Sequence, residues 1–394
     1  MDFSLNDEQR AWQAKARNFA VAEIAPISLD CDHAADPADA FDWEVIRKGS
    51  RLGLRTAVIP KEYGGGGIDF VTQAVVMIEL ARADAGIAKS FSQCWKWGHY
   101  LATLCNDEQK RRFLTPFMTD DTYLLGRCIT EPTAGSDNRM PPPEDPKAGS
   151  KLRAERQGDA WLLNGEKTYI AHGNVARLFF VDGRTNPNAP LFQGVTMFLV
   201  PPDTPGLRVG RIFNKSGWRF YQNTEILFDN VRVPHANIVG EVNGADKKIS
   251  SLGDPFSDLE YGAIAVGVAV AACEQALTFA KTQKEAGRAL IEQQLVQLKI
   301  NRMHMLSEAA RSLLLRAAWE YDRGIQSANG GLAMNCACDV VQEVTEMNLE
   351  IHASGGEGCA FDPQADKLVR DAFIWNHIAG DAVQRMKVAQ RLMR

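Results

Sequence analysis

The spacing of apolar residues changes twice along the chain, and this order constrains the fold more than any other feature of the sequence. Residues 1–122 and 241–394 carry apolar positions at the three- and four-residue intervals of helices that bury one face. Residues 123–240 instead contain short apolar segments separated by Gly, Pro and Asn, a pattern typical of antiparallel strands. The sequence therefore predicts an α+β multidomain chain with a helical domain, a β domain and a second helical domain at these boundaries.

Individual elements can be placed within this order. Asn6 is expected to cap a first helix, whose opening residues Asp7 and Glu8 suit the positive end of the helix dipole. Further helices are expected over 71–83, 108–117, 263–281, 293–321 and 339–353. Strands are expected over 160–163, 178–181, 196–200 and 224–228. The first half of 263–281 is almost wholly apolar, which predicts a buried helix.

Composition limits the partners and the compartment. With 394 residues and 45% hydrophobic composition, the chain can fill a large core and exceeds one ordinary domain. Its net charge of −5 and the lack of a long basic stripe argue against nucleic-acid binding. Eight cysteines favour the cytoplasm over a disulfide scaffold, and Cys336 and Cys338 lack the second pair that a zinc site needs. The sequence has no signal-peptide pattern and no apolar run of roughly 18 residues, so no membrane span is expected.

One segment has the composition of a ligand-binding turn. Residues 129–137 are I-T-E-P-T-A-G-S-D. Gly135 allows the backbone to approach a ligand closely, and successive amides with the Ser136 hydroxyl can bind a pyrophosphate or a flavin edge. Taken alone, the same residues also suit an ordinary surface turn.

Further segments match, in order and at the right intervals, the landmarks of one enzyme family. They are L-N-G-E-K-T-Y-I at 163–170, V-R-V-P at 231–234, and the segments 287–297, 352–358 and 368–372. Together with 129–137, they make the whole chain resemble the acyl-CoA dehydrogenases. The resemblance implies an N-terminal helical bundle, a central antiparallel β-barrel and a C-terminal four-helix bundle. It also implies that FAD binds between the sheet and the C-terminal helices and that the enzyme oxidises the α,β bond of an acyl-CoA. The expected electron acceptor is an electron-transfer flavoprotein or another acceptor, and the expected assembly is a homotetramer or homodimer.

The resemblance assigns flavin contacts to residues of the β domain and of the C-terminal helices. These residues are Ile129, Thr130, Gly135, Ser136, Tyr169, Ala171, Gln283, Gln294, Gly355, Gly356 and Asp381. Tyr169 replaces a common tryptophan and keeps the aromatic plane. Ala171 lacks a hydroxyl, which removes a hydrogen bond worth about 1 kcal/mol. Gln283 stands where an arginine meets the pyrophosphate, a loss of about 1.5–3 kcal/mol.

Negative charge is also added on the adenine side, by Glu350 and Asp381. Two interpretations follow. Either other donors or a shifted alignment account for the changes, or the chain binds FAD weakly or with a partner subunit that supplies the missing groups.

The largest difference concerns the catalytic base. The glutamate that many family members use is replaced by Ala379, in the stretch I-A-G-D. A second family location lies near the start of the buried helix, where the acids are Asp254, Asp258 and Glu260. Burial in a pocket raises the pKa of a carboxylate, as a base near neutral pH requires. Asp258 is the first candidate and Glu260 the second, and the alternative for each is a helix N-terminal acid favoured by the dipole.

Six residues are further candidates around the pocket. Asp381 is a third candidate base, and the nearby His377 could act as acid or base. Trp95 and Trp97, together with Ser136, are expected to contact the acyl group, although a helix face with one buried ring explains the two tryptophans equally well. Lys89 lies where a cation would meet an anionic acyl group, or is simply solvated.

Three functions fit these residues. The first is an acyl-CoA dehydrogenase with a relocated carboxylate. The second is a flavoenzyme of the same fold that needs no base, such as an acyl-CoA desulfinase or a flavin monooxygenase. The third is a subunit of a hetero-oligomeric dehydrogenase that completes a partner's flavin site.

Overall fold

A computed structural model describes residues 4–140, 145–245, 255–353 and 362–393. Three residues singled out in the sequence, Asp254, Gly355 and Gly356, lie outside these ranges. The order of elements in the described parts is helices, then a sheet, then helices, so the α+β class is confirmed.

The N-terminal part is helical. Helix α1 (Asp7–Phe19) begins at Asn6, whose side chain accepts from the Gln9 amide while the Gln9 side chain accepts from the Asn6 amide, so the predicted cap is present as a capping box. The helices that follow are α2 (Ala25–His33), α3 (Trp43–Arg51), α4 (Phe70–Ala81), α5 (Ala85–Leu104), α6 (Asp107–Gln109) and α7 (Thr115–Thr119). The helix expected over 108–117 is confirmed as a continuous helical run formed by α6, a π-helical turn (Lys110–Leu114) and α7, and Pro116 lies at the start of α7.

The central part is a mixed sheet. Its strands are β1 (Leu125–Cys128), β2 (Arg153–Gln157), β3 (Ala160–Ala171), β4 (Leu178–Arg184), β5 (Val195–Val200), β6 (Leu207–Ile212), β7 (Asn223–Pro234) and β8 (Ile238–Val239), with the short helix α8 (Leu191–Gly194) before β5. The pairing order is β6-β7-β3-β2-β4-β5-β8, and β1 pairs with β4. All strands expected from the sequence occur within β3, β4, β5 and β7.

The expected antiparallel barrel is not what the described residues form. Strand β1 runs parallel to β4, because the long connection over 129–177 separates them and no hairpin joins them. No pairing joins β6 to β8 in the described ranges, so the sheet stays open there.

The C-terminal part begins with a long helix through the core. Its elements are α9 (Pro255–Thr282), the hairpin strands β9 (Lys284–Glu285) and β10 (Arg288–Ala289), α10 (Gln294–Asp322), α11 (Asn329–Ala353), α12 (Pro363–Phe373), α13 (Trp375–Ile378) and α14 (Ala382–Leu392). Helix α9 contacts α4 and α5 on one side and α10 and α11 on the other. By length and hydropathy it is the one described helix that could cross a membrane, but its packing in the core accounts for its apolar sequence.

The sheet divides two hydrophobic cores. In β4, Leu178 and Phe180 pack into the large core shared with both sets of helices, while Phe179 and Val181 pack into a smaller core on the other face. This alternation is the two-residue period of a strand that is buried on both faces. The helical ends of the chain are therefore joined through one core.

Candidate functional site

The segment after β1 presents open backbone to solvent. The carbonyl of Thr130 accepts from the Thr168 amide (2.8 Å), and Glu131 and Ala134 close a tight turn by exchanging backbone hydrogen bonds. Gly135 and Ser136, just beyond this turn, are exposed. A Cβ added at Gly135 would meet no atom within 4 Å. A ligand can therefore approach this backbone directly.

A buried ion pair supports the segment from below. The Nζ of Lys167 donates to Glu131 Oε1 (2.8 Å), to the Ile129 carbonyl (2.9 Å) and to Ser150 Oγ (2.8 Å). Glu131 also accepts from the amides of Lys151 and Leu152. Burial alone would raise the pKa of Glu131, but Lys167 and these donors hold it below its usual range. The pair fixes the segment to β3.

Tyr169 is the exposed aromatic residue of the site. The pairing of β3 with β7 shifts register between Lys167 and Ile170, and Tyr169 adopts a φ of 56° there. Such a bulge turns a side chain out of its regular direction. The ring is 58% exposed and stacks on Phe213 at a centroid distance of 4.3 Å. A flat aromatic surface therefore lies at the same edge of the sheet as the backbone of Thr130, which is bonded to the residue before Tyr169.

The end of β3 connects this edge to helix α5. Ala171 is buried, and the next residue, His172, is fully buried with its Nε2 2.8 Å from Ser90 Oγ. Burial lowers the pKa of His172 to about 3, so its imidazole is neutral. As the sequence indicated, Ala171 offers no hydroxyl to a ligand.

These features fit an isoalloxazine ring. An exposed turn with a glycine, an exposed tyrosine and half-buried Ile129 and Thr130 provide the amides and the flat face that a flavin edge needs. Gln283 and Gln294, which the resemblance assigns to the cofactor, are both exposed.

Two cations that sequence reasoning did not single out lie near Gln283. Lys284 and Arg288 are carried by the β9–β10 hairpin and are exposed, so they are available to phosphate oxygens. The charge of Glu350 is neutralised by Lys299, with 2.7 Å between Nζ and Oε2. The predicted adenine side is therefore less acidic than the sequence suggested.

Asp381 joins the two halves of the site. Its Oδ2 lies 2.5 Å from Nη1 of Arg139, which follows the exposed turn, and its Oδ1 accepts from the Gln384 amide as the N-cap of α14. This ion pair links the sheet segment to the C-terminal helices. It also occupies the carboxylate, which reduces its availability as a base.

The other two candidate bases have different surroundings. Asp258 is buried and turned toward the C-terminal helices, where Arg391 Nη1 lies 3.1 Å from its Oδ2 and Tyr321 and Gln384 are also within hydrogen-bond distance. Glu260 faces the N-terminal helices, and its Oε1 accepts from Lys89 Nζ at 3.1 Å. Ala379, at the usual position of the base, is buried and has no group to take a proton.

Glu260 is the candidate acid that lines a cavity. The cavity has a volume of about 10 Å³, enough for one water molecule. It lies between α4, α5 and α9, and its walls are Gln73, Ala74, Met77, Ser92, Trp95, Phe256, Leu259 and Glu260. Both sequence candidates on α9 are thus buried, but on different faces.

The two tryptophans expected to contact substrate have separate positions. Trp95 lines the cavity and is fixed by a hydrogen bond from Nε1 to the Leu54 carbonyl (2.6 Å). Trp97 packs on Phe180 beneath the sheet, with 5.0 Å between ring centroids. Ser136 lies on the exposed turn.

Comparison with known proteins gives matches along the whole chain. The models of the acyl-CoA dehydrogenase N-terminal, middle and C-terminal domains match residues 6–121, 126–231 and 259–393. A probable acyl-CoA dehydrogenase of Bacillus subtilis, YngJ, is 30% identical over 400 residues, and the match covers 100% of both chains. The structure of butyryl-CoA dehydrogenase from Megasphaera elsdenii is 29% identical with a TM-score of 0.87 and 100% coverage of both chains. The prolyl acyl carrier protein oxidase AnaB is 26% identical with a TM-score of 0.84, covering 99% of this chain and 100% of its own.

Proposed function

The chain belongs to the acyl-CoA dehydrogenase family, and from this premise we propose that it is a FAD-dependent oxidoreductase that oxidises the α,β bond of a short acyl-CoA-like thioester. The observation that carries the proposal is the exposed turn at Gly135 beside the exposed ring of Tyr169. In this proposal the flavin lies between the sheet and a C-terminal bundle formed by α9, α10, α11 and α12. The hairpin cations Lys284 and Arg288 meet its phosphates in place of the missing arginine.

The chemistry divides between cofactor and protein. Bound FAD supplies the acceptor for the hydride that leaves the β carbon. The protein must hold the thioester, exclude water and take the proton from the α carbon, so that a C=C bond forms as two C–H bonds break. The aromatic and backbone groups at Tyr169 and Thr130 orient the reacting centre, and a carboxylate takes the proton.

Glu260 is the proposed proton acceptor. Each of the three acids is paired with a cation, Asp258 and Asp381 with an arginine and Glu260 with Lys89, but of the three it is Glu260 that lines the cavity. Glu260 is 8% exposed, so its side chain is largely shielded from bulk water. The cavity beside it has room for one water molecule, so in this proposal the substrate widens it by moving side chains, and the ring of Trp95, fixed by its hydrogen bond to Leu54, limits that widening to a short acyl group.

A second candidate function is favoured by Ala379. An alanine buried at the usual position of the base suits a flavoenzyme of this fold whose chemistry needs no proton acceptor, such as a desulfinase or a monooxygenase. Sulfite release from a sulfinyl acyl-CoA, or oxygen consumption by the reduced enzyme, would identify these activities. Neither requires Glu260.

The proposal includes assembly, electron acceptor and compartment. Helix α10 exposes an apolar stripe of Leu295, Leu298 and Met305, and large apolar stripes of this kind are commonly covered by another chain. We propose that it packs against a second copy in a homodimer or homotetramer. An electron-transfer flavoprotein or another acceptor reoxidises the flavin, and the enzyme works in the cytoplasm.

The first experiment is anaerobic bleaching of the flavin absorbance in the purified protein. Butyryl-CoA is expected to bleach the yellow colour, and octanoyl-CoA to bleach it more slowly. Glu260→Gln should keep the flavin but lose the bleaching, while Asp258→Asn should keep both if it folds. Bleaching that survives in Glu260→Gln and disappears in Asp258→Asn would move the base to Asp258. A protein purified without flavin that binds none on titration would refute the proposed function.

A further inference from the structure

A buried cation stands behind the proposed proton acceptor. Lys89 on α5 is 1% exposed, and its Nζ lies 3.1 Å from Oε1 of Glu260. We infer that Lys89 is a positioning residue, which holds one oxygen of Glu260 and thereby directs the other into the cavity where the substrate reacts. This inference rests on the proposed function.

The ammonium group of Lys89 is itself held in place. Its remaining hydrogen-bond partners are Gln93 Oε1 at 3.4 Å and Ser92 Oγ at 3.5 Å. The rings of Tyr261 and Tyr221 have their centroids 4.9 and 5.5 Å from Nζ, within the range of cation–π contact. With three acceptors and two rings around it, the ammonium has one preferred position. Glu260 is consequently fixed by a rigid donor.

The same cluster reaches the strand that carries Tyr169. Tyr221 donates its hydroxyl hydrogen to Gln93 Oε1 (3.0 Å), and its ring packs against His172 at a centroid distance of 4.8 Å. His172 directly follows Ala171 at the end of β3. The orientation of Glu260 is therefore tied to the edge of the sheet as well as to α5 and α9.

Charge explains why the pair matters for proton transfer. Burial lowers the pKa of Lys89, and the neighbouring carboxylate of Glu260 opposes this by favouring the charged ammonium. The side chains from α4 at the cavity, Gln73 and Met77, are uncharged. On α5 the other cation is Lys96, which donates to Ser257 Oγ (2.8 Å). Tyr221, in the turn before β7, is protonated, because burial raises its pKa well above the usual value.

Removing the charge of Lys89 should change the pH profile of flavin reduction. In Lys89→Met, Glu260 loses the cation that favours its ionised form, so the rising limb of the rate should move to higher pH by about one unit or more. At neutral pH the rate should fall by about tenfold, with the KM for butyryl-CoA changed by less than about threefold, because a positioning residue acts on the reacting state rather than on substrate binding. Lys89→Arg, which keeps the charge, should restore the position of the limb.

The controls separate positioning from folding. Lys48→Met removes one positive charge from an exposed pair with Glu23 and should leave the profile unchanged. If Lys89→Met does not fold because Glu260 is left unpaired, Lys89→Gln, which can still donate a hydrogen bond, replaces it, and flavin content and melting temperature establish that it is folded. If Glu260→Gln is inactive but a folded variant without the Lys89 charge keeps the rising limb at the wild-type pH, the inferred role of Lys89 is wrong while the role of Glu260 stands. If acyl-CoA does not reduce the flavin of the wild-type protein at all, the proposed function is wrong as well.

Discussion

The ion pair beneath the exposed turn allows a stability prediction with a calculable size. Lys167 has a fully buried side chain and donates to three oxygens, and Glu131 has a side chain only 5% exposed. Lys167→Met keeps the length of the side chain but leaves a carboxylate buried without its cation. Breaking a buried pair from one side costs about 3–5 kcal/mol. Because two amides and Ser150 still bond to Glu131, the lower end, about 3 kcal/mol, is expected.

Urea unfolding followed by tryptophan fluorescence measures this loss, and flavin absorbance after purification reports the effect on the turn. Lys151→Met is the matched control, since its ammonium contacts Thr133 at the exposed surface and its loss should cost less than about 0.5 kcal/mol. A Lys167→Met protein within about 1 kcal/mol of the wild type would refute the structural role of the pair. So would a control that is equally destabilised.

The same pair gives stability a defined dependence on pH. The pKa of Glu131 is held below its usual range in the folded chain. Its contribution is therefore complete above the unfolded pKa of about 4.3 and is lost as the pH falls through the lower folded value. The wild-type protein should lose stability on acidification below about pH 4.5 more steeply than Lys167→Met, in which Glu131 lacks this stabilisation. The measurement is the urea midpoint of each protein at several pH values between about 6 and 3.5. If the midpoint falls equally steeply with pH in the wild type and in Lys167→Met, the role assigned to Glu131 is wrong.

Three further substitutions test other parts of the structure. Gly135→Val should leave the melting temperature of flavin-free protein unchanged, because the position is open, yet reduce flavin content; full flavin occupancy would exclude this turn from the cofactor site. Gly267→Ala should destabilise by about 1–3 kcal/mol, since its Cβ would lie 2.6 Å from the Ile78 carbonyl oxygen; thermal unfolding checks this, and no change would show that α9 can shift. Asp381→Asn should weaken the link to Arg139 and raise the protease susceptibility of the turn, as limited proteolysis can measure; an unchanged cleavage rate would argue against that link.

The elements that sequence predicted best are those with strong local signals. The cap at Asn6 and the helix that ends near Asp322 depend on neighbouring residues and are confirmed. Helix α11 begins ten residues before the expected 339, at Asn329. Gly330 and Gly331 disfavour a helix locally, but added Cβ atoms there would collide with Tyr321 and Val388. Tertiary packing therefore explains why both positions are glycine. Helix propensity, which depends on local sequence, could not predict that the helix includes them.

For the site, sequence identified the candidate acids but could not choose between them. Asp258 and Glu260 are two residues apart on α9, so they point to different faces. Because this helix is buried on several sides, its hydrophobic pattern does not indicate which face meets the cavity. The contact of Arg139 with Asp381 joins residues 242 positions apart and leaves no local signal. The assignments of flavin and substrate contacts remain predictions.

Helix α9 has a consequence for how the chain can be divided or recombined. Its residues cover α4 and α5 from the first third of the chain and α10 and α11 from the last third. A fragment that stops before Pro255 would expose the buried faces of α4 and α5 and should aggregate. Chimeras with relatives should therefore stay soluble when both helical ends are taken from the same parent.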